Sequence, residues 1–234
     1  DQPAGWPVGC KKEVIRRLKK EDFLNYRRAH YVAQATTVVL AGNFEEESAI
    51  KKLEATFLSI PVSKKFGKEK TIEKQSKPAV LLQHKALDQT HIVIGCRAFD
   101  TFDKRRFALD VLADALGGGM SSRLFQCVRE KLGAAYYVSA STGYHTDCGQ
   151  LTVRAGLDNT KAKIVLKAVL NEMKKFVDKK ITHEELQRAK DHLSGNLILG
   201  LETSDAQAVF YGGQEILTKS VLSPQEVLQN INSV

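Results

Sequence analysis

Apolar residues recur along the chain at two different spacings, and the switches between them predict an alternation of helices and strands. In the first sixty residues Val14, Ile15 and Leu18 lead into Phe23, Leu24 and Tyr26 at helical intervals. The β-branched run 36–42 (TTVVLAG) then reads as a short strand closed by Gly42. Ile50, Leu53 and Phe57 mark a further helix with acidic residues in its first turn, where the helix dipole favours negative charge, and Pro61 ends it. The stretch 62–78 (VSKKFGKEKTIEKQSKP) is lysine-rich with almost no apolar period, which predicts an exposed linker. The chain is thus expected to divide into a piece 1–61, a linker 62–78 and a larger unit 79–234.

In that larger unit 79–84 (AVLLQH) and 91–99 (HIVIGCRAF) read as two strands, and 136–142 and 149–156 as an antiparallel pair with Leu151, Val153 and Ala155 on one face. Phe107, Val111, Leu112, Ala115 and Leu116 form the stripe of a helix over 103–117, with Gly117 expected as a left-handed cap. A helix over 121–133 follows, with a Ser N-cap, Leu124, Phe125, Val128 and Leu132 inward and Gly133 at its end. Beyond Asn159 a long helix is expected to turn Ile164, Val165, Ala168, Val169, Met173, Phe176 and Val177 inward. Thr182 and Glu185 form a capping-box pattern for the next, through Leu186, Ala189, Leu193 and Leu197. The last helical region, after Thr203, is expected to break at Gly212 and Gly213 before a Ser-Pro turn over 223–234. Strand pairs followed by helix pairs predict an α+β fold, an antiparallel sheet covered by helices on one face.

Composition narrows the function classes. Hydrophobic content of 43% suits a globular protein, and no apolar run of about 18 residues predicts a membrane-spanning helix. The net charge of +8 is spread over helix faces and 64–70 rather than set beside aromatic residues, so nucleic-acid binding is disfavoured. The cysteines, Cys10, Cys96, Cys127 and Cys148, form no CxxC pair. Cys96 and Cys127 lie in apolar stretches that favour core thiols, so four reduced cysteines in a reducing compartment such as the bacterial cytoplasm are expected, with a Cys10–Cys148 bridge and the periplasm as the alternative. The absence of an initiator Met reads as a piece of a longer or processed protein.

His30, His84, His91, His145, His183 and His192 include no HExxH, no HxxEH and no ligand-spaced cluster, so no zinc site is expected within this chain. Gly117, Gly118 and Gly119 lack the strand and the GK[ST] or GxGxxG pattern of a phosphate loop, and Ser121 and Ser122 lack a GxSxG elbow. Arg129 and Tyr136 are the notable pair. One sits near the end of a helix and the other opens the next strand, across the turn at Gly133. A guanidinium and a phenol brought together suit peptide carbonyls or a developing oxyanion, although pairing of Arg129 with Glu130 and half-burial of Tyr136 would serve structure alone.

The run 116–142 (LGGGMSSRLFQCVREKLGAAYYVSAST) resembles the second-domain signature of the insulinase-like (pitrilysin, M16) zinc peptidases, particularly the processing-peptidase branch. The segment 30–44 (HYVAQATTVVLAGNF) is similar to the end of that family's first domain, and 181–203 to its late helical segment. The resemblance implies two related, ferredoxin-like-derived α/β domains forming half of a clamshell. By it, 1–61 ends the first domain and 79–234 is the second, lacking its closing strand and helix. It further implies that Tyr136 bonds the scissile carbonyl or oxyanion while Arg129 grips a substrate carbonyl. The zinc and its HxxEH ligands would belong to a preceding domain or a partner subunit, in a homo- or hetero-dimer. The chain alone would then be inactive on its peptide substrates. The alternative is a non-catalytic assembly subunit of the respiratory core-protein type.

Overall fold

A computed structural model describes residues 2–84 and 88–234. The chain divides into two compact units, Asp1–Ser76 with Ser204–Ile216, and Lys77–Thr203 with Leu217–Val234.

The second unit is built on an antiparallel sheet of β1 (Gln89–Ala98), β2 (Ala135–Tyr144) and β3 (Gly149–Asp158) in the order β1-β3-β2. Period-2 alternation sends Val138 and Ala140 of β2 and Val153, Ala155 and Leu157 of β3 to one buried face. Over that face lie α4 (Arg106–Gly117), a π-helix (Phe125–Lys131) and α5 (Ala162–Asp178), which contribute Leu116, Val128, Val165 and Val169 to the same core, joined by Leu124 at the π-helix N-cap. A second layer of α6 (His183–Gly200) and α8 (Pro224–Asn232) packs on the far side of α4, around Val111, Ala189 and Ile231. Both helices start from capping boxes, Thr182 with Glu185 and Ser223 with Glu226, each satisfying two orphan amides. The α+β class expected from the pattern is the observed one, with helices on one face of the sheet and the other face exposing His91, Val93, Tyr137 and Arg154.

The first unit contains α1 (Lys12–Arg17), α2 (Lys20–His30), α3 (Glu46–Phe57) and most of α7 (Ser204–Thr218). Val32 is fully buried in it, held where Ala33 N–H donates to the Pro61 carbonyl at 3.0 Å.

Several expectations give way. The runs 36–42 and 79–84 are irregular and form no strand. A β-branched or apolar run forms a strand only beside a partner, and among the described residues neither has one. Residues 85–87, the turn expected after the second run, lie outside the described residues. The first helical stretch is two helices, divided at Leu18 and Lys19. On α5 Ile164 and Val177 point outward and Glu172 is buried instead, because each apolar residue sits one position beyond the stripe set by Val165, Val169 and Phe176. Helix α7 runs unbroken through Gly212 and Gly213, and a Cβ on Gly212 would come 3.0 Å from Val39 Cγ2, so this glycine serves close packing. The expected turn over 223–234 is α8, and Cys96 is exposed rather than in the core. None of the four cysteines forms a disulfide. Among the described residues no helix is long and apolar enough to cross a membrane.

Candidate functional site

Arg129 and Tyr136 are joined by a turn whose backbone is held from both sides. The π-helix closes with Leu132 N–H bonded to the Cys127 carbonyl, a five-residue step, and Ala134 N–H then reaches the Val128 carbonyl at 3.0 Å. Gly133 has φ +53, the left-handed conformation that glycine adopts without a Cβ penalty, and its carbonyl accepts from Lys161 Nζ at 2.9 Å. Val128 and Ala134 are buried, so the two ends of the turn are anchored in the core while Arg129 and Tyr136 stay exposed.

Each of the two residues sits on a local irregularity. Arg129 lies on the π-helix, a form that recurs at functional sites, where a regular α-helix was expected. Its guanidinium stands 5.1 Å from the Phe125 ring centre, and among the described residues no carboxylate pairs with it, Glu130 included. Tyr136 is the extra residue of a β-bulge: Ala135 faces Leu157 and Tyr137 faces Gly156, leaving Tyr136 without an opposite number. Bulges re-aim a side chain out of the alternating pattern. Tyr136 is 59% exposed, and among the described residues nothing hydrogen-bonds its hydroxyl.

The glycines and serines before the π-helix have structural duties, partly different from those expected. Gly117 is not left-handed; a Cβ there would lie 2.4 Å from the Ala140 backbone nitrogen, so it lets α4 touch β2. A Cβ on Gly118 would overlap the Asp114 carboxylate. Ser122 does not cap the helix by accepting an amide but donates to the Gly119 carbonyl.

Several other titratable groups of the second unit are paired internally. Arg123 holds Glu185 and pulls its carboxyl down to about 2. Asp110 accepts from Thr142 and Tyr144 hydroxyls, and its burial raises its pKa. His192 Nδ1 lies 2.8 Å from Asp114 and its Nε2 3.2 Å from Asn196. Burial pushes the Cys127 thiol up, away from nucleophilic reactivity, in a groove of about 540 Å³ beside Glu172 and Lys175. His91 is bonded to Tyr137, His192 to Asp114, and His30 is stacked on Tyr26; among the described residues no three His, Cys, Asp or Glu side chains gather.

The pattern-based reading missed His91, Tyr137 and Gly156. The His91 and Tyr137 rings stack with centroids 6.1 Å apart and share a hydrogen bond of 3.0 Å. A lone glycine inside the β3 alternation was the available signal, since it marks a close approach.

Residues 17–193 match the family model described as the Peptidase M16 inactive domain. An uncharacterized zinc protease of Streptomyces coelicolor is 32% identical over 243 residues, covering 100% of this chain and 52% of that protein. The chain therefore spans about half the length of such relatives. Among solved structures, a protease from Helicobacter pylori shares the fold with a TM-score of 0.82 at 18% identity, over 96% of this chain and 55% of its own. A chain of complex III2 from Candida albicans shares it with a TM-score of 0.75 at 18% identity, over 97% of this chain and 56% of its own.

Proposed function

The chain belongs to the M16 peptidase family and contains its inactive domain, and we propose that it grips an extended peptide and stabilises the transition state for a zinc-bearing partner domain or subunit. The observation that carries this reading is the pair itself. Arg129 and Tyr136 keep the seven-residue spacing of the family's substrate-gripping Arg and Tyr, and both are solvent-facing without internal hydrogen-bond partners among the described residues.

In this role Tyr136 donates its phenolic hydrogen to the scissile carbonyl as negative charge develops there, which acts more strongly on the transition state than on the ground state. Arg129 donates to a neighbouring substrate carbonyl and fixes the peptide's register. The metal, when bound by the HxxEH-bearing part, supplies carbonyl polarisation and an activated water. In the same proposal residues 1–61 close the family's first domain, 79–234 form the second, and the complete assembly encloses the peptide in a clamshell.

The test is peptide affinity and turnover in the enzyme containing both parts. Arg129→Ala is expected to raise KM on the order of tenfold, the scale of a lost charged hydrogen bond. Unchanged KM and kcat in Arg129→Ala and Tyr136→Phe would transfer the lead to the alternative, a non-catalytic assembly subunit, which the fold shared with a complex III2 chain supports.

A further inference from the structure

We propose that His91 and Tyr137 form a strut across the open face of the sheet that sets the bulge and thereby aims Tyr136; this inference rests on the role proposed for Tyr136 above.

The geometry is set by register. His91 of β1 and Tyr137 of β2 both face Gly156 of the central strand β3, so the three residues form one row across the sheet. Adjacent strands lie about 4.8 Å apart, which separates the backbones of β1 and β2 by about 10 Å, too far for short side chains to meet. Here the two rings meet over the middle strand, with the Tyr137 hydroxyl 3.0 Å from His91 Nδ1 and the ring planes 28° apart. They can do so because residue 156 has no side chain: a Cβ there would stand 2.3 Å from Tyr137 Cε1.

Tyr137 is the first residue after the bulge to regain a partner on β3. Its ring is tied at the far end to the opposite edge strand, so its backbone cannot rotate without breaking the tie. On the other side of the bulge, Ala135 is fixed opposite Leu157, which is fully buried. Tyr136 is thus suspended between two pinned neighbours, with no register partner on β3 and, among the described residues, no hydrogen bond to its hydroxyl. Pinning the neighbours holds the phenol at an exposed position without occupying its hydroxyl, which a donor to a developing oxyanion must keep free. His91 and Tyr137 are positioning residues in this arrangement, and Gly156 is the space that permits them.

The experiment is a kinetic double-mutant cycle in the enzyme containing both M16 parts. Tyr137→Phe keeps the ring and removes only the hydroxyl, and is expected to lower kcat about threefold to tenfold, the scale of one hydrogen bond, with KM nearly unchanged. His91→Phe should reproduce the loss, and His91→Asn, whose amide lies where Nδ1 does, should restore most of it. The deciding arm repeats Tyr137→Phe in the Tyr136→Phe background, where no further loss of kcat is expected because there is no donor left to aim. Amide exchange at Ile94 and Val153 reports whether the sheet itself is intact. A loss of equal size in both backgrounds, or none in either, overturns the strut. If Tyr136→Phe slows turnover and Tyr137→Phe does not, this inference alone falls; if Tyr136→Phe has no effect, the proposed role of Tyr136 falls with it.

Discussion

Arg123 and Glu185 form a two-pronged ion pair, Nε to Oε1 at 2.6 Å and Nη2 to Oε2 at 2.8 Å, between the residues leading into the π-helix and the first turn of α6. Both side chains are about four-fifths covered, and the guanidinium also lies 4.2 Å from the Phe176 ring centre. Glu185 simultaneously completes the capping box with Thr182, so one carboxylate serves a helix start and a tertiary tie. Arg123→Ala should therefore cost about 1–3 kcal/mol, measured as a lower urea midpoint. The pH dependence follows from the depressed carboxyl: its stabilisation is complete above the ordinary value of 4.5 and is lost as pH falls towards about 2. In Arg123→Ala that part of the acid slope should shrink to the share held by Thr182; an unchanged slope would show the pair to be energetically silent.

Gly117 permits a close helix-to-strand approach near the site. Because the neighbour of its missing Cβ is the Ala140 backbone, 2.4 Å away, no side-chain rotation can relieve an added methyl. Gly117→Ala is expected to destabilise the protein by about 1–3 kcal/mol through displacement of α4 from β2. Chemical denaturation measures it, and a wild-type midpoint would contradict the packing described here.

Asp110 carries two hydroxyl donors, Thr142 at 2.6 Å and Tyr144 at 2.7 Å, in a site whose burial raises its pKa. A raised carboxyl contributes stability at low pH and loses it as pH rises through the folded-state value. Asp110→Asn keeps an acceptor oxygen without the charge, so it should be at least as stable as the wild type at pH 7, with a flatter profile above the ordinary carboxylate range. Asp110→Ala leaves both hydroxyls without their acceptor and should lose about 1–3 kcal/mol. Thermal melts from pH 4 to pH 8 distinguish the two; equal losses for both variants would contradict this reading.

The fold was legible where burial imposes a period. Leu151, Val153 and Ala155 announced β3 and its inner face, and Thr182 with Glu185 announced the start of α6. The runs 36–42 and 79–84 misled because strand propensity states a readiness to pair and carries no information about whether a neighbour is present. At the site, Arg129 and Tyr136 could be named from residue type, spacing and family likeness. The features that present them could not: a π-helix differs from an α-helix by one step of hydrogen bonding, and the bulge at Tyr136 depends on its register against β3. Gly117 showed as a glycine, but its purpose, contact with Ala140, is tertiary and was misread as a cap.

Gly133 connects the two candidate residues through a left-handed backbone, φ +53. Its would-be Cβ meets nothing within 4 Å, so Gly133→Ala introduces backbone strain without a clash. About 1 kcal/mol of stability should be lost. If the turn sets the relation between Arg129 and Tyr136, turnover should fall by more than the small change in folded fraction explains. Activity that merely tracks folded fraction would detach the turn from the site.

The role proposed for Tyr136 is decided by kcat for Tyr136→Phe in the proposed two-part enzyme. The hydroxyl is exposed and has no internal partner among the described residues, so its removal should leave the urea midpoint unchanged. Loss of one oxyanion donor should lower kcat on the order of 100-fold while KM stays nearly constant. Turnover equal to that of the wild type would contradict the account.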